Sequence, residues 1–149
     1  MKEEFEFSSN MQAICLPLLN SSMPNIGSTI VASGWGLTSS KGTSFTPNLM
    51  RADLQVYNYD SPSCRKYLLD YAEKTSIMCV HNPSSCTCHG DSGGPLTMEV
   101  EGFCTLVGVT SQGYRCGELG FASLYTNVSY FMDWIIDNIS ESCSEPINK

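Results

Sequence analysis

Eight consecutive residues, Cys88-His89-Gly90-Asp91-Ser92-Gly93-Gly94-Pro95, hold a hydroxyl nucleophile, a carboxylate, an imidazole and three glycines. A serine hydroxyl performs acyl transfer when its Oγ is exposed and an adjacent base takes its proton. Gly93 and Gly94 lack Cβ, so the backbone beside Ser92 can bend sharply and admit a ligand. Pro95 then fixes φ and opens an extended run over 96–100. A serine on such a turn presents its Oγ, and the N–H groups of Gly90 and Ser92 can converge as an oxyanion hole requires. The base is the missing part. His89 lies three residues from Ser92, but its ring would have to swing back over the oxyanion site to reach the hydroxyl. His81, the other histidine of the chain, falls in a loop and reads as solvated.

Composition bounds the rest. The chain has 149 residues, enough for one domain with a core. Apolar residues make up 42%, ordinary for a globular protein. A net charge of −7 argues against a nucleic-acid partner. No run of 18 apolar residues is present, so no membrane helix is expected. Eight cysteines point to an oxidising compartment, hence secretion. N-x-S sequons at Asn20, Asn127 and Asn138 agree with that. Yet Met-Lys-Glu-Glu-Phe-Glu-Phe at the start has no apolar signal core. We therefore expect a fragment, a partial gene model or a truncated isoform, with Met1 not the true start.

The elements that must carry the turn are short strands. Thr29–Ser33 reads as a strand, and 49–57 alternates Leu49, Arg51, Asp53 and Gln55 against Met50, Ala52, Leu54 and Val56, as a half-buried strand does. Further strands are expected at 77–80 and 124–128, and a hairpin joins 96–100 to 103–110 around Glu101-Gly102. Residues 61–71 suit a short helix capped by Ser61, with Pro62 first and Tyr67, Leu68 and Tyr71 on one face. A second helix is expected over 130–140, capped by Ser129, with Phe131, Trp134, Ile135 and Ile139 on its stripe and a tail at 141–149. Strands with turn signals followed by one helix make an all-β barrel with a C-terminal helix.

The octet around Ser92 resembles the active-site serine motif of chymotrypsin-like (trypsin-family) serine proteases. Ile14-Cys15-Leu16-Pro17, Gly34-Trp35-Gly36, Cys64, Cys79, Gly113, Cys116 and Trp134 are similar to further family landmarks. The resemblance implies the second six-stranded antiparallel barrel of a two-barrel fold, beginning at about residue 12, so that 1–149 is a partial protease domain. It implies a serine endopeptidase acting on protein or peptide substrates, without cofactor. Ser92 matches the nucleophile, Gly90 with Ser92 the oxyanion hole, and Asp91 the carboxylate that pairs with an N-terminus released by activation. The family's catalytic aspartate and histidine fall before Met1, so the missing N-terminal barrel is an expected partner and this chain alone is expected to be inactive.

The same resemblance implies disulfides Cys64–Cys79 and Cys88–Cys116. Cys15 tethers a propeptide or light chain in relatives, or pairs here with Cys143. Ile30 and Met98 replace a further family disulfide and are expected to pack together. No metal is expected, because Cys86-Thr87-Cys88-His89 lacks a second ligand pair and the C-x-x-C spacing. The substrate pocket is assigned to Cys86 at its base, with Thr87, His89, Ser111, Gln112, Gly113 and Ser123 around it. Cys86 stands where trypsin-like members hold aspartate, so Arg and Lys side chains would find no ion-pair partner. Gln112 and Ser123 depart from the family pattern. They keep open a non-catalytic homologue acting as a binding module.

Overall fold

In a computed structural model, which describes residues 5–22, 24–68, 74–113, 116 and 121–139, six antiparallel strands close into a barrel. The strands are β1 (Thr29–Gly34), β2 (Met50–Val56), β3 (Ile77–His81), β4 (Pro95–Val100), β5 (Phe103–Gly113) and β6 (Ser123–Asn127). Their order round the barrel is β1-β2-β3-β6-β5-β4, and β4 returns to pair with β1. Closure leaves no sheet edge unpaired over the paired lengths, which is what stabilises a barrel of such short strands.

The alternation in β2 is obeyed: Leu54 and Val56 are buried while Arg51, Asp53 and Gln55 face solvent. Ile30, Ala32, Met78, Val80, Leu96, Val107 and Tyr125 complete the core with them. Met98 packs against this cluster, of which Ile30 is a member. A smaller cluster joins Cys64, Ile77, Cys79, Ala122 and Leu124, with Tyr57 and Tyr59 against it. The β4–β5 hairpin turns at Glu101 and Gly102, both in the left-handed region at φ 51° and 84°. Two successive positive φ values are the mark of the tight turn whose twist suits a hairpin.

Both helix caps differ from the sequence expectation. The first helix, α1, runs Pro62–Leu68. Its first turn is closed by the Ser61 carbonyl, which accepts from the N–H groups of Cys64 and Arg65, while the buried Ser61 Oγ has no partner. Tyr71, and the side chains of Tyr67 and Leu68, lie outside the described residues. The second helix, α2, is Met132–Ile139 and is preceded by a 3₁₀ turn over Val128–Phe131. Asn127 caps that turn in place of Ser129: its Oδ1 accepts from the Ser129 N–H at 3.2 Å. The tighter turn rotates the helix face, so Val128 and Met132 are buried, whereas Trp134 and Ile139 of the expected stripe are exposed. The tail and Cys143 lie outside the described residues.

Candidate functional site

The turn carrying Ser92 is pinned to the barrel at β5. Gly93 donates to the Thr110 carbonyl at 2.8 Å, and Thr110 donates back to the Gly94 carbonyl at 2.9 Å. Inside the turn, Asp91 donates to the Cys88 carbonyl and Gly94 donates to the Asp91 carbonyl, at 3.1 and 2.9 Å. Among the described residues, the N–H groups of Gly90 and Ser92 are left without a protein partner, one on either side of a committed N–H. Two free donors flanking an exposed hydroxyl are what an oxyanion site needs. Gly90 reaches this geometry at φ +95°, with the Phe45 ring so close that a Cβ there would lie 2.6 Å from Phe45 Cε1. Only glycine satisfies both demands.

Asp91 points to the other side of the turn. Its Oδ1 accepts from the Gly36 N–H at 2.8 Å and its Oδ2 from the Cys88 N–H at 2.9 Å. Gly36 must be glycine because a Cβ there would fall within 2.6 Å of the carboxylate. The Gly34-Trp35-Gly36 signature is thus the seat of Asp91. A cavity of about 370 Å³ opens beside it, lined among others by Ser33, Gly34, Gly36, Arg51, Cys86 and Asp91. Among the described residues Asp91 has no ion-pair partner, since Arg51 pairs with Asp53 and Arg65 with Asp60.

A second cavity, about 210 Å³, opens beside Ser92 and is lined by Thr87, Cys88, His89, Ser92, Thr110, Ser111, Gln112, Gly113 and Cys116. It gathers Thr87, His89, Ser111, Gln112 and Gly113 of the expected pocket round the nucleophile. Cys86 and Ser123 are not among its walls. Cys86 lines the Asp91 cavity, where burial, and then the Asp91 charge, push its thiol pKa up. Ser123 sits behind the wall, its Oγ close enough to Gly113 that a Cβ there would come within 2.7 Å. The register of β5 slips against β6 between Thr110 and Gln112, and the extra residue, Ser111, is turned to the cavity.

Thr87, a buried residue of this wall, shares a 2.7 Å hydrogen bond through its Oγ1 with the Tyr125 hydroxyl. Tyr125 is wholly buried, and that burial raises its pKa from 10.0 to about 12, with the Thr87 hydrogen bond working in the opposite sense. Thr110 and Tyr125 were not expected at the site. The one hint was a tyrosine within an apolar strand, whose hydroxyl must find a partner when buried.

His89 is exposed, its carbonyl accepting from the Leu37 N–H at 2.9 Å. Neither His89 nor His81 is hydrogen-bonded to Ser92 Oγ; the His81 ring instead meets Tyr57 edge-on at 5.7 Å. Disulfides join Cys64 to Cys79 and Cys88 to Cys116, the second fastening the serine turn to the far cavity wall. The thiols of Cys15, Cys86 and Cys104 are unpaired among the described residues, so no test of Cys15 with Cys143 is possible within them. No cluster of three or more metal-ligating side chains occurs among the described residues.

Comparison with known proteins fits this geometry. The trypsin family model matches residues 1–135. Trypsin epsilon of Drosophila erecta is 36% identical over 137 residues, covering 91% of this chain and 50% of that protein. CLIP domain-containing serine protease B4 of Anopheles gambiae is 36% identical over 140 residues, covering 91% of this chain and 38% of its own length. Serine protease 41 of Homo sapiens is 36% identical over 124 residues, covering 76% and 37%. The chain therefore spans half, or less, of the length of these relatives.

Proposed function

Because the chain belongs to the trypsin family of serine proteases, we propose that it supplies the nucleophile, oxyanion hole and substrate pocket of a secreted serine endopeptidase, and that a separate barrel must supply the base. The observation that carries this reading is the pair of unpartnered N–H groups at Gly90 and Ser92 beside an exposed hydroxyl that no imidazole reaches. In the reaction, Ser92 Oγ attacks the scissile carbonyl. The two N–H groups take the developing oxyanion, and the acyl group passes to serine before water releases it. The hydroxyl proton needs an acceptor that the described residues do not place there. These residues alone therefore do not hydrolyse peptides usefully.

Three features support the need for a second barrel. Leu18, Trp35, Phe45 and Phe103 are all more than half exposed, an apolar load that a docked partner would cover. The relatives are about twice as long or longer. Asp91 is held by two N–H groups and has no ion-pair partner among the described residues, which suits the family role of receiving a newly released terminal amine in the 370 Å³ cavity.

Cys86 lines the Asp91 cavity and not the one beside Ser92, whose buried wall residue Thr87 is neutral. The described walls carry no carboxylate, and the cavity they bound is below the about 300 Å³ at which ligand pockets usually start. A small uncharged side chain before the scissile bond fits best.

A second reading, a non-catalytic homologue that binds peptides, draws on Ser123 crowding Gly113 from behind the wall. A fluorophosphonate probe separates the two. The 149-residue chain is expected to label no more than its Ser92→Ala variant. Joined to an N-terminal barrel bearing histidine and aspartate, it is expected to label at Ser92. Strong labelling of the chain alone would overturn the claim of a missing base, and no labelling of the joined protein would leave the binding module.

A further inference from the structure

Three asparagines carry the N-x-S pattern, and the structure sets them in three different situations. Asn127 is fully engaged: its Oδ1 caps the 3₁₀ turn through the Ser129 N–H at 3.2 Å, and its Nδ2 donates to the Thr75 carbonyl at 2.9 Å. It braces the end of β6 to the segment before β3. Asn138 lies on α2 and its Nδ2 donates to the Trp134 carbonyl at 2.7 Å, along the helix surface. Asn20 differs from both. It is exposed, and its carboxamide makes no hydrogen bond to the described residues. It sits at φ 62° in a turn closed by the Ser21 N–H donating to the Leu18 carbonyl at 3.0 Å. Asparagine tolerates that left-handed backbone better than most residues. Ser22, whose hydroxyl completes the pattern, is exposed as well.

We infer that Asn20 is a site of N-linked glycosylation, and that Asn127 and Asn138 serve the fold and stay unmodified. The donor is a polyprenyl-diphosphate-linked oligosaccharide. A bond forms between Asn20 Nδ2 and the sugar anomeric carbon as the anomeric carbon–phosphate oxygen bond breaks. The carboxamide gives up one proton and the lipid diphosphate leaves with the electron pair. At Asn20 this disturbs no contact. At Asn127 it would set a bulky sugar on a nitrogen already held against Thr75, and the fold that follows synthesis would lose its brace. Ser21 and Ser22 line a tyrosine-walled cavity that shares no residue with the one beside Ser92, so a glycan rooted here leaves the nucleophile uncovered.

This inference rests on the secretory localisation proposed above, so the test supplies that localisation itself. The full 149-residue chain is directed into the endoplasmic reticulum of a eukaryotic cell. Glycosidase release then converts each modified asparagine to aspartate, and peptide mass spectrometry reads the three positions. Conversion at position 20 alone is expected. Asn20→Gln, or Ser22→Ala, should abolish the glycosidase-sensitive mobility shift. Ser129→Ala destroys the second pattern but keeps the backbone N–H that Asn127 caps, and it should leave the shift unchanged. An unmodified Asn20, or conversion at 127 or 138, overturns the inference. Absence of the natural chain from secretions would instead count against the localisation.

Discussion

The Thr87–Tyr125 hydrogen bond ties the wall of the cavity beside Ser92 to the barrel core, and Tyr125→Phe tests it. The substitution removes a wholly buried hydroxyl and leaves the buried Thr87 without that partner. Leaving a buried polar group unpaired costs about 1–3 kcal/mol. Thr87→Val should cost a similar amount, and the double variant should fall well short of the sum, because removing both partners leaves nothing stranded. The pH dependence gives an independent measure. The native state keeps the Tyr125 proton to about pH 12, whereas an unperturbed phenol releases it near 10.0. Between those values the unfolded chain binds fewer protons than the native one, so stability is fully present below pH 10 and falls as pH rises towards 12. Two pH units correspond to a loss on the order of 3 kcal/mol. Tyr125→Phe lacks this loss, while Tyr59, whose pKa burial also raises, is common to both proteins. Urea midpoints of the two proteins at pH 9 and near pH 11.5 check both arms. Parallel behaviour over that window, together with equal stability at neutral pH, would refute the buried pair.

Two further outcomes follow from the same geometry. Asp91→Asn turns one of two charge-assisted acceptors into a donor facing an N–H group, and should destabilise by about 2–4 kcal/mol in urea unfolding, with faster amide exchange at Gly36; unchanged protection at Gly36 would count against that seat. A peptide-library profile of the joined, active protein should favour small uncharged residues before the scissile bond, because the described walls of the cavity beside Ser92 carry neutral Thr87 and no carboxylate; dominance of Arg or Lys would sink the pocket assignment.

What the residues disclosed in advance was local and chemical. The Ser92 octet, the alternation of β2 and the Glu101-Gly102 turn all act over a few residues, where type and spacing carry the physics. Contacts bridging long separations were not legible. Thr87 meets Tyr125 across 38 positions and Gly36 meets Asp91 across 55, and nothing near either residue announces the other. The register slip at Ser111 likewise depends on how β5 meets β6, not on β5 itself. That Cys86 lines the Asp91 cavity was not legible for the same reason: counting back from Ser92 gives a position along the chain, while the wall it occupies is decided by which side of the turn the backbone passes. The caps failed differently. Ser61 and Ser129 are sound cap residues by type, yet the Ser61 carbonyl in place of its hydroxyl, and the Asn127 carboxamide, reached the orphan N–H groups.

Gly90, Asp91 and Ser92 are consecutive, and this adjacency ties the two cavities together. The free N–H groups belong to the first and third residues, while the carboxylate of the second faces the opposite side. Rotation about the Asp91 Cα–C bond re-aims the Ser92 donor, because the Asp91–Ser92 peptide plane carries the Ser92 N–H, whereas the Gly90 N–H lies in the His89–Gly90 plane. Thr110 holds the turn from the β5 side through Gly93 and Gly94, and the Cys88–Cys116 bridge holds its entrance. The Asp91 carboxylate is held by two backbone N–H groups and, among the described residues, by no counter-charge. A cation arriving in the 370 Å³ cavity would strengthen that hold and, through the Asp91–Ser92 peptide plane, steady the Ser92 donor. Nucleophile geometry and the occupancy of a cavity on the far side of the turn are thus one mechanical problem.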